Sequence, residues 1–204
     1  MLKNNKGFTL VELLATMVIL AIIMLVAVPN VTGIIARNKA KTYVEDAKKL
    51  VTTAEYKIRT ATNSVRMPAT GHCIILTLTY LDNGEFEDPP YGGEYQKDDS
   101  FVLIAKESNG ANSIINYYVQ LVELYKGAYM GLPLRASSTL YDDSAADGVE
   151  TNINRTKFGA TESTPSSRIL TQYQENGSNA ATMMNYVHQF NSGISCTLDN
   201  VMAP

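Results

Sequence analysis

Four sets of residues have types and spacings that could do chemistry. Glu12 is a carboxylate inside the run Phe8–Val28, where thirteen residues are Leu, Ile, Val or Phe and only Thr9, Glu12 and Thr16 are polar. A charge in such a run is costly and usually marks function. His72 next to Cys73, with His188 and Cys196 far along the chain, offers the parts of a thiolate–imidazole nucleophile. Neither cysteine sits in a recognisable catalytic signature. An even pair in an exported segment reads instead as a disulfide, with two buried thiols as the alternative. Asp142, Asp143 and Asp147 could give oxygen ligands to calcium. They lack the alternating carboxylates and terminal glutamate of an EF-hand and read as a solvated acidic loop. No metal site and no cofactor are expected. No Gly-rich phosphate loop precedes a helix. The expectation is a chain with no catalytic role of its own.

The fourth set is basic: Arg37, Lys39, Lys41, Lys48, Lys49, Lys57, Arg59 and Arg66. Glu45, Asp46 and Glu55 interrupt it, and it winds around a helical pattern, so it reads as a solvated face. Residues 8–66 carry net charge +4 and residues 67–204 carry −9. So acidic a C-terminal part is a poor partner for phosphate backbones, and no specific nucleic acid is expected.

Few elements are needed to position these groups. Phe8–Val28 is long enough to cross a bilayer core as a helix. Thirteen apolar residues at about −0.3 to −0.6 kcal/mol each outweigh one charge at about 2.5–3.5 kcal/mol, so the run inserts despite Glu12. The leader is cationic, with Lys3 and Lys6 and no acid, and favours an N-terminus on the cytoplasmic side. Pro29 is expected to break the helix by bending or opening it. Beyond it, Val44, Ala47, Leu50, Val51, Ala54, Ile58, Ala61 and Val65 recur at threes and fours, so one helix is expected from Phe8 to about Ser64. The apolar stripe of its second half needs a sheet to cover it. Met67-Pro68-Ala69-Thr70-Gly71 ends the pattern.

Cys73–Tyr80 reads as a strand or a short helix start. Phe101–Lys106 and Ser113–Glu123, joined through Asn109-Gly110, read as a β-hairpin. Tyr117, Val119 and Leu121 should share one face of it, and Tyr118, Gln120 and Val122 the other. Residues 125–168 are turn-rich. Short elements are expected at Arg168–Tyr173 (strand), Ala180–Phe190 (helix) and Gly193–Leu198 (strand carrying Cys196).

The order Lys6-Gly7-Phe8-Thr9-Leu10-Val11-Glu12, followed by the apolar run and Pro29, closely resembles the class III signal of type IV pilins and pseudopilins. An ordinary secretory signal would place its cleavage site after the apolar run, and Val26-Ala27-Val28-Pro29-Asn30 is a poor site of that kind. The resemblance implies cleavage after Gly7 by a prepilin peptidase and methylation of the new amino terminus on Phe8. It implies that Glu12 pairs with that amine on a neighbouring subunit during assembly. It also implies a leader at 1–7, a membrane and filament-core helix at 8–28, the rest of the helix at 29–66 and an extracellular head at 67–204. The expected fold class is α+β, with the second half of the helix packed on an antiparallel sheet. Leu81–Phe86 and Asp88–Tyr95 more loosely resemble the loop joining helix to sheet in clostridial and competence-type pilins.

The expected role is that of a structural subunit of an extracellular type IV-like pilus, membrane-inserted as a precursor and self-associating into a helical filament. An assembly ATPase and a platform protein are the implied partners. The alternatives are a minor pilin, a pseudopilin of a type II secretion or competence system, or a monomeric membrane-anchored binding protein.

Overall fold

The computed structural model describes residues 8–61, 64–141, 156–158 and 180–202. The chain forms two compact units, Met1–Lys39 and Ala40–Pro204. Helix α1, Leu10–Thr60, starts in the first and ends in the second.

In the first unit every described side chain from Phe8 to Val28 and from Val31 to Asn38 is exposed. Two of its threonines turn inward on the helix itself: Thr16 donates to the Leu13 carbonyl and Thr32 to the Val28 carbonyl. A hydroxyl on an apolar helix thereby needs no outside partner. Helical structure continues through Pro29, so the proline does not end α1. A proline lacks one backbone donor, and the bonds of the flanking residues can carry the helix past it.

The second unit is three layers. The sheet has the order β6-β5-β4-β3-β1-β7. Its strands are β1 His72–Thr77, β2 Glu94–Tyr95, β3 Phe101–Asn109, β4 Asn112–Tyr125, β5 Ala128–Ala136, β6 Thr156–Lys157 and β7 Thr197–Met202. β2 pairs with β4 off this path. On one face lies the C-terminal half of α1. Tyr43, Val44, Ala47, Leu50, Val51, Ala54 and Ile58 are buried there against Ile74, Leu76, Val102, Ile104, Val119, Leu121 and Leu132. That is the expected stripe as far as Ile58, extended by Tyr43; Val65, its last expected member, is buried in the same core from beyond the end of the helix. On the other face lies α3, Ala180–Phe190, whose Met183, Tyr186 and Val187 meet Ile75, Phe101, Leu103 and Tyr118. The alternation expected for β4 holds, with Val119 and Leu121 facing α1 and Tyr118 facing α3.

The hairpin forms as expected and is longer. β3 and β4 pair from Phe101↔Gln120 to Asn109↔Asn112, with Gly110 at φ 65° in the two-residue turn. A positive φ there is what a tight hairpin turn asks of its first loop residue.

The fold differs from these expectations at four places. The sheet is not wholly antiparallel, because β7 runs parallel to β1, starting at His72↔Thr197. The chain recrosses the outer face through α3, which returns it to the end of the sheet where β1 begins. β7 also begins just after Cys196 rather than including it. Second, β5 occupies a stretch whose Gly131 and Pro133 read as breakers. Pro133 and Leu134 stand opposite Gln120 alone, since Val119 pairs with Arg135 and Leu121 with Leu132. This is a β-bulge, a place where a strand tolerates proline. Gly131 is needed for close approach: a Cβ there would collide with the Leu121 carbonyl oxygen and lie 3.0 Å from the Tyr43 hydroxyl. Third, Cys73–Tyr80 is both things it could have been, β1 and then the one-turn α2, Leu78–Leu81, capped by Thr77. Residues 81–95 therefore follow the first strand instead of joining helix to sheet, and 61–71 make that join. Fourth, α1 ends at Thr60, four residues short of Ser64. Asp142, Asp143, Asp147 and Arg168–Tyr173 lie outside the described residues.

Candidate functional site at the start of the long helix

The first residues of α1 solve a problem common to all helices. The first four N–H groups have no partner in the helix itself. Thr9 is the residue before Leu10, and its hydroxyl oxygen accepts from the Glu12 backbone N–H at 3.3 Å. Glu12 reaches back. Its Oε2 accepts from the Thr9 backbone N–H at 2.9 Å and from the Thr9 hydroxyl at 3.0 Å. This is a reciprocal capping box, and it satisfies two of the orphan donors. The Thr-x-x-Glu spacing that signals it stands in the sequence at Thr9 and Glu12. The first i→i−4 bond of the helix, Leu13 N–H to the Thr9 carbonyl, follows directly. Phe8 precedes the cap, outside the helix and 84% exposed.

Around and beyond this cap the helix is apolar on all sides. Leu10, Val11, Leu13, Leu14, Met17, Val18, Ile19 and Leu20 are all more than half exposed, and the pattern continues to Leu25. α1 is long and apolar enough to cross a membrane, and none of that stretch is buried against the rest of the chain. A helix that is hydrophobic all round needs lipid or other protein to cover it.

Residues 2–28 match the family model of the prokaryotic N-terminal methylation motif. They are a class III prepilin signal. No curated protein and no solved structure is significantly similar to the chain. The prepilin signal, with the apolar helix behind it, fits a membrane-inserted precursor of the type IV pilin or pseudopilin kind.

The remaining candidates lie in the second unit. Cys73 and Cys196 are joined in a disulfide, with 5.7 Å between their Cα atoms. Neither sulfur is therefore available as a thiolate, which removes the nucleophile reading. His72 and His188 each have a partner of their own. His72 Nδ1 lies 2.6 Å from Asp199 Oδ1, across the β1–β7 pair. His188 Nε2 donates to the Ile194 carbonyl at 2.8 Å. Among the described residues no group of three or more His, Cys, Asp or Glu could hold a metal ion.

The basic face of α1 does structural work in this unit. Lys48 pairs with Glu45 at 3.2 Å. Lys49 donates to the Glu85 carbonyl and sits over the Phe86 ring, and Lys57 sits over the Tyr80 ring. The contacts of Lys49 and Lys57 fasten the 80–86 segment to the helix.

Two carboxylates here are pushed in opposite directions. Burial raises Asp46, and the Tyr95 hydroxyl that donates to it at 2.7 Å offsets this only in part. Asp82 is also raised by burial, but hydrogen bonds from Lys97 and the Gly84 N–H, with the Lys97 charge, outweigh this and hold it below the usual carboxylate range.

Proposed function

We propose that the chain is a structural subunit of an extracellular type IV-like pilus, made as a membrane-inserted prepilin, with no catalytic role of its own. Residues 1–7 are the leader, 8–28 the membrane and then filament-core helix, 29–66 the rest of the helix region, and 67–204 the exported head. A prepilin peptidase cuts after Gly7 and methylates the amine of Phe8. An assembly ATPase and a platform protein then move the subunit from the bilayer into the filament.

The observation that carries this reading is an apolar helix surface, uncovered by the rest of the chain, directly behind a prepilin signal. Such a surface suits two environments in turn, lipid first and like helices second. A disulfide-bonded head also suits an oxidising exterior.

Glu12 is the residue proposed to couple these states. Its carboxylate is costly among apolar helices, and pairing it with the Phe8 amine of a neighbouring subunit offsets part of both desolvation terms. The capping box has to share that carboxylate with the incoming amine.

The test is electron microscopy of sheared surface filaments with an antibody to the head. Labelled filaments are expected from the wild type. Glu12→Ala keeps the bond from the residue-12 N–H to the Thr9 hydroxyl, so it should still insert and be cleaved after Gly7, and labelled filaments should be lost at matched levels of processed chain. Normal incorporation of Glu12→Ala at matched expression would refute the pairing, and absence of the chain from any filament would refute the pilin reading. The abundance of the chain in the filaments separates a major subunit from a minor one.

A further inference from the structure

We propose that Thr9 is a positioning residue for prepilin cleavage: its cap starts α1 at Leu10 and so leaves Phe8, whose amide nitrogen the cut releases, outside the helix. This rests on the reading that the cut falls after Gly7.

The helix end sits beside the bond to be broken. α1 begins at Leu10, Thr9 caps it, and Phe8 is already non-helical. In cleavage, water attacks the carbonyl carbon of Gly7 and the bond to the Phe8 nitrogen breaks. Phe8 leaves as a free amine carrying the proton, and Gly7 keeps the new carboxylate. For this the carbonyl must be open to attack from one side. In a helix continued toward the N-terminus, the Gly7 carbonyl would instead accept from the Val11 N–H, and its carbon would be enclosed by the adjoining turns.

Near apolar surroundings a helix cannot simply fray, because unpaired backbone groups find no water there. It must cap or grow. Thr9 and Glu12 cap it by the three bonds described. Without them, the next residues suited to capping are Asn5 and Asn4. A helix reaching either would take in the Gly7–Phe8 bond. Gly7 opposes such growth, being a poor helix former, but only weakly compared with a cap backed by a carboxylate. Thr9 is thus the residue that decides on which side of the cut the helix ends.

The test uses the full-length chain in liposomes with a prepilin peptidase, reading the initial cleavage rate by intact mass. Thr9→Ser keeps the hydroxyl and should be cut at the wild-type rate. Thr9→Ala and Thr9→Val should be cut roughly five-fold more slowly, the factor that corresponds to a typical lost cap. The decisive variant is Thr9→Ala with Leu10→Pro. Proline is accepted at the first helical position and keeps the residue before it out of the helical region, so it fixes the helix start without a cap. The double variant should recover most of the wild-type rate. Cleavage of Thr9→Ala at the wild-type rate or faster would overturn the proposal. So would a double variant as slow as Thr9→Ala, since the peptidase would then be reading the Thr9 side chain directly. A wild-type chain cut anywhere but after Gly7 would overturn the leader assignment as well, and the wild-type sample alone reveals that.

Discussion

Removing the disulfide by Cys73→Ala with Cys196→Ala should be the costliest pair of small substitutions in the head. The two cysteines are 123 positions apart, so the bond closes almost the whole head into one loop. The loop-entropy relation gives about 5 kcal/mol for a closure of that length. Cys73 is also fully buried in the cluster under α3, so its lost sulfur adds a packing term on the order of 1 kcal/mol. Against a usual total of about 5–15 kcal/mol, this removes a third of the stability or more. The chain has 12 tyrosines and no tryptophan, so tyrosine fluorescence and near-ultraviolet dichroism report on the head directly. Guanidinium titration of the full-length chain in detergent should show the midpoint falling by on the order of 1–2 M. The loss should appear first at α3 and β7, whose amides should exchange faster than those of β3 and β4. A midpoint shift below about 0.3 M would refute the reasoning. It would mean that the non-covalent contacts of β7 with β1 already hold the two ends together in the unfolded ensemble.

Gly131→Ala should destabilise the head by about 2–3 kcal/mol, read as a drop in thermal midpoint, because the added Cβ meets the Leu121 carbonyl oxygen and crowds the Tyr43 hydroxyl that donates to it. The two perturbed carboxylates predict opposite pH responses. Asp82, with a lowered folded pKa, contributes stability above its unfolded pKa that is lost as pH falls through the folded value, so Asp82→Asn should flatten the acid limb of the stability profile below about pH 4. Asp46, with a raised folded pKa, contributes stability below its unfolded pKa that is lost as pH rises through the folded value, so Asp46→Asn should help more at pH 7 than at pH 4. Gly7→Arg should block processing, and intact mass of the mature wild type should show loss of residues 1–7 and one added methyl. A chain starting near Asn30 would contradict that.

Much of the architecture was legible in the sequence, because its signals are strong where single periodicities act alone. The stripe Val44–Ile58 has one face and one job, and it packs as its spacing says. The β3–β4 hairpin alternates cleanly around the Gly110-Ala111 turn, and its faces fall on the two cores. β5 was hidden because its glycine and proline are answers to tertiary demands, close approach to β4 and a bulge opposite Gln120, which no local pattern announces. The direction of β7 was hidden for a related reason. Its partner β1 is more than a hundred residues away, and only the return through α3 decides whether the pair is parallel. At the helix start the residues were legible but their geometry was not. Thr9 and Glu12 carry the capping spacing, yet a carboxylate in an apolar run draws attention to its charge before its reach. Of the Cys–His constellation, the sequence showed the parts and the fold joined the two sulfurs to each other.

The place of β1 in the sheet has a mechanical consequence. β1 is the first strand after α1, and it lies between β3 and β7 rather than at an edge. A pull on the helix therefore enters the sheet through residues 61–71 and loads an interior strand. Drawing β1 out along its own axis would strain the ladders on both flanks at once, in shear, instead of opening them one bond at a time like a zip. The sulfur bridge at Cys73, the second residue of that strand, acts as a pin near the point where the force arrives. A head anchored this way should yield to tension only at forces that shear several hydrogen bonds together, and should hold its strand even while the helix is dragged.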